Sequence, residues 1–201
     1  MKREERNAAS RQRIGESALE EFAQYGYAAG SVNGICSRGN ISKGILYHYF
    51  QDKDAIYLQC VQDCFEKLAA FLRQRQEQEA LTLEGYTEAR QAFFQENPLH
   101  HRLFCDAVIL PPPHLKQAIL QRKAQLDEVN ESLLRGVLSR EQLRPDISLD
   151  QAVYFYRVYA NMANVAMGAD LGSLYEIDRY NETVSMAVKL FLYGVVARDG
   201  E

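Results

Sequence analysis

The chain has 201 residues, of which 47% are hydrophobic and 25% are charged, close to the usage of ordinary globular domains. This length predicts one or two domains with a core that needs no disulfide or metal. The net charge of −4 argues against a protein that coats nucleic acid over its whole surface. No apolar run approaches the ~20 residues that span a bilayer, and the charged start lacks a secretory apolar region. We therefore expect a cytoplasmic protein with reduced cysteines and no membrane partner.

The charge is divided unevenly along the chain. Residues 1–60 carry eight Lys or Arg and seven Asp or Glu, which leaves a net charge of −5 for residues 61–201. For nucleic-acid binding, the face that the cations occupy matters more than the total charge. The chain therefore divides into a near-neutral head with local basic spots and an acidic body, for which we expect residues 1–53 and 54–201.

The head is predicted to hold three helices, two of them short. Apolar residues recur at helical spacing over 14–25, and Gly26 stands where a glycine that ends a helix is expected. Ser31 and Ser42 are candidate N-caps of two short helices, separated by a break at Gly39-Asn40. Two short helices joined by a tight break predict a helix-turn-helix.

The body is predicted to be helical in longer pieces, beginning with a long helix near Asp54. Five more are expected at about 83–95, 99–110, from the Pro111–Pro113 run to 140, at 150–169 and at 178–198. No segment has the pattern of a strand. The predicted fold class is all-α, with a three-helix helix-turn-helix head, a long connecting helix, a larger helical body and about nine helices in total.

The second short helix is predicted to enter the major groove of DNA. Its leading end combines small residues with one cation and one apolar side chain, so its backbone can approach the bases. A tyrosine that follows can donate a hydrogen bond to phosphate, and a lysine at the start of the next helix can meet another phosphate. The expected DNA-contacting residues are Ser31, Ser42, Lys43, Gly44, Ile45, Tyr47, His48 and Lys53.

Neighbouring residues in the head have other expected roles. Leu46 and Phe50 alternate away from Tyr47 at helical spacing, so we assign them to the core of the head. Tyr49 fits either DNA or the core. Arg38 is either a phosphate contact or a solvated charge.

The head resembles the DNA-binding signature of the TetR (tetracycline-repressor) family over about residues 11–57. The resemblance is carried by SVNGICSRGNISKGILYHYFQDKD, which runs from Ser31 to Asp54, and by Ala18-Leu19, Phe22-Ala23 and Gly26-Tyr27. Gly34 departs from the pattern, since the family usually has a charged or larger residue there, and a glycine weakens a helix by about 1 kcal/mol. The resemblance implies a ligand-responsive repressor whose body carries an inducer pocket and dimerises through its last two helices.

The last predicted helix has apolar residues on two sides. One stripe is Val184, Val188, Phe191 and Val195, and the other is Met186, Leu190 and Tyr193. A helix that is apolar on two sides must be covered on both. The simplest second cover is the same helix of another copy, in a two-fold four-helix bundle, so we expect a homodimer.

The segment Tyr154–Met167 is the candidate ligand-binding helix of the body. Its polar stripe is either an exposed or dimer-facing surface, or one wall of a pocket closed by aromatic residues. In the pocket interpretation, Arg157 meets an anionic ligand, because no carboxylate lies one turn away on its own helix and its partner must be elsewhere. The candidate ligand-binding residues are Arg157, Asn161, Asn164, Phe93 and Phe104.

A cysteine pair and a histidine pair are better explained as structural residues than as metal, redox or pH-sensing sites. Cys60 and Cys64 lie one turn apart with no further metal ligand at suitable spacing, and free cysteine is common in cores. His100 and His101 are either ligands or a pH sensor, or lie at the surface or partly buried. Because adjacent residues point apart on a helix, we expect a surface or partly buried position for them. We expect no metal and no cofactor.

The sequence motifs also discriminate between an enzyme and a DNA-binding protein. The chain has none of the GxxxxGK[ST], GxSxG or HExxH motifs, which argues against an enzyme. The expected function is a DNA-binding transcriptional regulator that binds double-stranded operator DNA and is released by an unknown small-molecule inducer. The alternative is a ligand-independent architectural DNA-binding protein, which the acidic body opposes.

Overall fold

The computed structural model describes residues 3–78, 81–170, 186–187, 189–191 and 194–196, without the side chains of 3–4, 6 and 160–170. Within these ranges it has eight α-helices with assigned bounds, further helical residues at 186–187, 189–191 and 194–195, one short 3-10 helix and no strand, only an isolated bridge between Leu143 and Val196. The helices are α1 (Arg3–Ala29), α2 (Val32–Gly39), α3 (Lys43–Tyr49), α4 (Lys53–Gln78), α5 (Leu83–Glu96), α6 (Pro98–Val108), the 3-10 helix (Pro113–Leu115), α7 (Lys116–Leu138) and α8 (Leu149–Asp170). The all-α prediction is confirmed, while most of the helix expected at 178–198 lies outside the described residues.

The chain divides into two compact units. Unit 1 comprises Met1–Phe65 and Asn97–Lys123, and unit 2 comprises Glu66–Glu96 and Ala124–Glu201. These units are defined by compactness and do not test the expected functional boundary between residues 53 and 54, which stays a prediction. By compactness alone, α6 belongs with the helices of the head.

The core of unit 1 forms where α1 packs against both α2 and α6. Phe22 and Tyr57 meet edge to face with ring centroids 5.1 Å apart, and Phe65 meets Phe104 in the same way at 5.8 Å. Such aromatic pairs add to the free energy gained from burial alone. The aliphatic side chains buried around them include Ile14, Ile35, Leu46, Ile56 and Leu103.

Gly26 interrupts α1 with a φ of 68°. The expected break in the helix is present at Gly26, but the helix resumes after it and continues to Ala29. A side chain at this position would be strained by the positive φ, and its Cβ would lie 2.9 Å from a carboxylate oxygen of Asp106. The glycine therefore allows α6 to approach α1 closely.

Unit 2 is built on its own aromatic and leucine core. Phe93 of α5 contacts Phe71 of α4 and its neighbour Phe94, with ring centroids 5.4 and 5.3 Å apart. The α8 helix begins with a reciprocal cap, in which the Ser148 hydroxyl accepts from the Gln151 amide and the Gln151 side chain accepts from the Ser148 amide.

The described residues contain neither a helix suited to crossing a membrane nor a cluster of three or more metal-ligand side chains. Cys60 and Cys64 are buried, as the packing interpretation predicts. Burial raises the pKa of the Cys60 thiol to about 12, so this thiol stays protonated and unreactive. The Cys64 thiol donates to the His100 carbonyl at 3.4 Å. Both His100 and His101 are buried, so the expectation of a surface or partly buried position is wrong.

Candidate nucleic-acid interface

The helix-turn-helix is set by two serine caps and one left-handed residue. The Ser31 hydroxyl accepts from the Gly34 amide at 3.0 Å, and the Ser42 hydroxyl accepts from the Ile45 amide at 3.3 Å. Between the two helices, Asn40 has a φ of 48° and ends α2. Asparagine tolerates this conformation, so the turn closes without a glycine at that position. Both predicted caps and the predicted break are confirmed.

One face of α3 is exposed and the other is buried. Leu46 and Phe50 are buried in the head as predicted, while the Ile45 and Tyr47 residues are 47% and 51% exposed. A Cβ on Gly44 would have only the Ser42 hydroxyl within 4 Å, so the helix backbone is bare there. The exposed residues of this face are Ser42, Lys43, Gly44, Ile45, Tyr47 and His48.

The half-buried Tyr49 side chain is bonded to another residue of the head. Its hydroxyl donates to the side-chain oxygen of Asn7 on α1, at 3.1 Å. The guanidinium of Arg11, one helical turn further along α1, lies 6.0 Å from the ring centroid of Phe50. These contacts tie the N-terminal part of α1 to the end of α3, so Tyr49 fits the packing interpretation.

Lys53 occupies the first position of α4 and is partly buried. Its ammonium donates to the Gly30 carbonyl at 2.9 Å and lies 4.2 Å from the ring centroid of Tyr27. An ammonium has three donors, so these contacts leave capacity for a phosphate. The lysine therefore joins the end of α1 to the start of α4.

Glu21 is a buried carboxylate that the sequence analysis did not single out. It accepts from the Ser31 amide at 3.1 Å and from the Arg38 Nε–H at 2.8 Å. This hydrogen bond raises the pKa of Arg38 above its ordinary value. Arg38, which was predicted to be either a phosphate contact or a solvated charge, is instead bonded within the head. The signal in the sequence was Gly34, because a Cβ there would lie 2.0 Å from the Glu21 carboxylate.

A second buried carboxylate, Asp106 of α6, was also missed. It accepts from the Tyr57 hydroxyl at 2.6 Å and from the Tyr27 amide at 3.1 Å. Burial raises the pKa of Asp106 above its ordinary value, although both hydrogen bonds act to lower it. Burial and the adjacent carboxylate also raise the pKa of Tyr57, so its hydroxyl stays a donor.

The Tyr27 side chain extends the same connection to the start of α4. Its hydroxyl is bonded to Asp54 and lies 3.2 Å from the ring Nε2 of His114, which in turn is 3.2 Å from the Asp54 carboxylate. Burial, with the hydrogen bond to Asp54, raises the pKa of Tyr27 to about 12. Side chains of α1, α4, α6 and the 3-10 helix are thus joined by hydrogen bonds within unit 1.

The residues expected to bind a ligand are not gathered into one unit. Phe93 is buried in unit 2 and Phe104 in unit 1, and the side chains of Asn161 and Asn164 lie outside the described residues. The Arg157 side chain is 59% exposed and pairs with Glu131 of α7 at 3.6 Å. Its partner is therefore on another helix, which removes the reason for expecting an anionic ligand there.

Comparison with known proteins agrees with this geometry. Residues 14–60 match the family model described as bacterial regulatory proteins, tetR family. The HTH-type transcriptional regulator RutR of Escherichia coli strain K12 is 23% identical over 98% of this chain and 95% of its own length. The HTH-type transcriptional repressor AcnR of Corynebacterium glutamicum is 22% identical over 84% of this chain and 88% of its own.

A solved structure shares the fold over nearly the whole chain. The transcriptional regulator FadR of Bacillus subtilis, solved in complex with stearoyl-CoA, superposes with a TM-score of 0.65 at 15% identity and covers 91% of this chain and 98% of its own. Its likeness extends well beyond the helix-turn-helix. The head therefore carries the DNA-binding signature of the TetR family, and the chain shares the all-α fold of TetR-family transcriptional regulators over nearly its whole length.

Proposed function

We propose that the chain is a transcriptional repressor that binds operator DNA as a homodimer and leaves it when a small molecule binds the body. The observation that carries the DNA-binding part is the exposed face of α3. There a cation, an apolar side chain and a phenol surround a bare stretch of helix at Gly44. A helix of this kind fits the major groove closely.

The proposed contacts divide by chemistry. Lys43, Gly44 and Ile45 meet base edges, and Tyr47 and Lys53 meet phosphates. The Ser42 hydroxyl accepts from the backbone inside its helix, and its own hydrogen remains to be donated to DNA. His48 is exposed beside these residues, its ring 5.0 Å from that of Tyr49, and completes the proposed surface.

The homodimer is supported by apolar side chains that unit 2 leaves exposed. Met186 and Leu190 are each 59% exposed, and Tyr154 and Phe155 of α8 are also exposed. By contrast, Phe191 packs on Tyr156 with ring centroids 5.3 Å apart. Of the expected stripes, Val184, Val188 and Tyr193 lie outside the described residues. The exposed set is the surface that a second copy would cover.

The ligand part of the proposal rests on the body rather than on particular residues. The FadR relative in fold carries stearoyl-CoA, so a body of this architecture can hold a small molecule. A ligand that favours one spacing of the two heads would shift the dimer away from the spacing that fits DNA, since half-sites lie about 34–36 Å apart. Binding to operator DNA also implies a cytoplasmic location.

Selection from a random duplex library tests the DNA-binding part. We expect enrichment of one two-fold symmetric sequence with half-sites one helical turn apart. Tyr47→Phe should weaken binding to selected and unselected duplexes alike. Tyr49→Phe is the matched control, because its hydroxyl is used by Asn7 rather than offered to DNA. Failure to enrich any sequence would contradict the proposal.

A second measurement separates the repressor from the architectural alternative. The selected duplex, bound to the protein, is titrated with a library of small metabolites that includes stearoyl-CoA. Release of DNA by one compound, at a concentration that also raises the melting temperature of the free protein, supports ligand control. Binding that shows no sequence preference and responds to no compound would favour the architectural protein.

A further inference from the structure

Glu21 makes its polar contacts with both ends of one helix. One carboxylate oxygen accepts from the Ser31 amide at 3.1 Å and from the Ser31 hydroxyl at 3.4 Å, at the N-cap of α2. The other accepts from the Arg38 Nε–H at 2.8 Å, in the last turn of α2. Glu21 itself is only 4% exposed, and a buried carboxylate persists only when it is paired and hydrogen-bonded in this way.

Attachment at two points fixes the placement of α2 against α1. The contacts at the N-cap and in the last turn hold both ends of α2, while the buried Ile35 side chain packs between them. The turn from Gly39 to Ser42 is short and closed by backbone hydrogen bonds, including one of 2.9 Å from the Ile41 amide to the Cys36 carbonyl. The placement of α3 therefore follows from that of α2.

The same contacts occupy both donors of Ser31 and two of the five donors of Arg38. The Arg38 guanidinium is bonded to Glu21 and Gln24 and lies 5.5 Å from the ring centroid of Tyr25. Its side chain is only 27% exposed. Both donors of Ser31 are directed to Glu21. An internal anion thus takes the place at the start of α2 that phosphate takes at other helix N-termini.

We propose that Glu21 is a positioning residue for DNA recognition: it fixes α2, and through it the recognition helix α3, while Arg38 and Ser31 serve this carboxylate and not DNA. The proposal rests on the proposed DNA-binding function and removes Ser31 from the expected DNA contacts. Gly34 belongs to the same arrangement, since only a residue without a side chain leaves room for the carboxylate.

The salt dependence of DNA affinity tests the proposal. Glu21→Gln and Arg38→Gln should each weaken binding to the selected duplex about tenfold, the scale of one charged hydrogen bond. The slope of log affinity against log salt should stay at its wild-type value, because no phosphate contact is lost. Lys53→Met, which removes the cation assigned to phosphate, is the matched control and should lower the slope by about 0.9.

Two further comparisons give the proposal more ways to fail. The double variant Glu21→Gln, Arg38→Gln should bind no more weakly than the weaker single variant, since both changes break one interaction. Arg38→Lys keeps the charge but loses the Nε–H, so it should weaken DNA binding as Arg38→Gln does. This comparison tests the proposal even if Glu21→Gln does not fold. A fall in slope of about 0.9 in Arg38→Gln, or wild-type affinity in Arg38→Lys, would overturn the proposal.

Thermal unfolding of the wild type, Glu21→Gln, Arg38→Gln and the double variant separates this proposal from the function on which it rests. If the wild-type protein enriches no sequence, the proposed function fails. Non-additive losses of Tm in Glu21→Gln and Arg38→Gln would still establish the attachment of α2. Additive losses would show that the two side chains act separately, and positioning by Glu21 would be wrong.

Discussion

At the scale of single residues, Gly34 and Gly44 stand on consecutive helices but have different surroundings. A Cβ on Gly34 would lie 2.0 Å from a Glu21 carboxylate oxygen, while a Cβ on Gly44 would meet only the Ser42 hydroxyl at 4.0 Å. Glu21 could move away only by giving up its bonds to Ser31 and Arg38. The two glycines therefore serve different ends, the first internal packing and the second access to DNA.

Alanine substitution separates these two roles. Gly34→Ala should lower the free energy of unfolding by about 1–3 kcal/mol, because it costs a buried carboxylate its partners and this outweighs the helix propensity of alanine. Gly44→Ala should leave stability unchanged or raise it by up to about 1 kcal/mol, yet weaken DNA binding. Urea denaturation and DNA titration of both variants provide the check. Equal effects on stability would contradict this account.

A second prediction concerns the cation at the start of α4. Lys53→Met keeps the apolar stem beside Tyr27 but removes the charge, so the salt slope of DNA binding should fall by about 0.9. Lys67→Met, on the same helix but within unit 2, is the control and should leave the slope unchanged. If Lys53→Met alters stability but not the slope, the lysine is structural only and the phosphate assignment is wrong.

At the scale of elements, α6 is bonded to the head through Asp106. The folded pKa of this carboxyl lies above its ordinary value of 3.8 because burial outweighs the bonds from Tyr57 and Tyr27. A group whose pKa is raised on folding contributes stability that is complete below the unfolded pKa. That contribution is lost as the pH rises through the folded pKa.

Asp106→Asn should remove this dependence on pH. The difference in unfolding free energy between wild type and variant should move against the wild type as the pH rises from about 4, by about 1.4 kcal/mol for each unit that separates the two pKa values. Denaturant unfolding across the acid range measures it. A difference that is constant with pH, or one that favours the wild type increasingly at high pH, would contradict the assignment.

The sequence predicted contacts between residues that are close along the chain and missed contacts between residues that are far apart along it. The caps Ser31 and Ser42 act on residues within one helical turn, so the local sequence pattern reveals them. The bonds of Asp106 to Tyr57 and Tyr27 join residues 49 and 79 positions apart. No local pattern contains such pairs, because they arise only when the helices pack.

The same reason accounts for Arg157 and Glu21. The absence of a carboxylate one turn from Arg157 is correct for α8, but Glu131 reaches it from α7. The buried Glu21 falls beside other charges on α1 and looks solvated in the sequence. The one sign of the buried Glu21 in the sequence is Gly34. Its departure from the family pattern is visible there, but the reason for the departure is not.

At the scale of the whole molecule, the exposed apolar surface of unit 2 bears on assembly. Phe191 and Leu190 are neighbours, but the first has ring contacts with Tyr156 and Tyr159 and the second is 59% exposed. A charge at Phe191 would therefore disturb aromatic packing within the protomer. A charge at Leu190 tests the surface alone, which makes Leu190→Glu the sharper variant.

Leu190→Glu should convert the protein from dimer to monomer. Burial of a leucine is worth about 1.5–3 kcal/mol, and two-fold symmetry counts the loss twice, before the cost of burying the new carboxylate. Leu120→Glu is the matched control, since Leu120 is also exposed but belongs to unit 1 and should leave the dimer intact. Sedimentation at micromolar concentration measures the mass of each protein, and DNA titration should show that the monomer still binds a single half-site, weakly. A wild-type protein that sediments as a monomer, or a Leu190→Glu variant that stays dimeric, would show that this surface has another use.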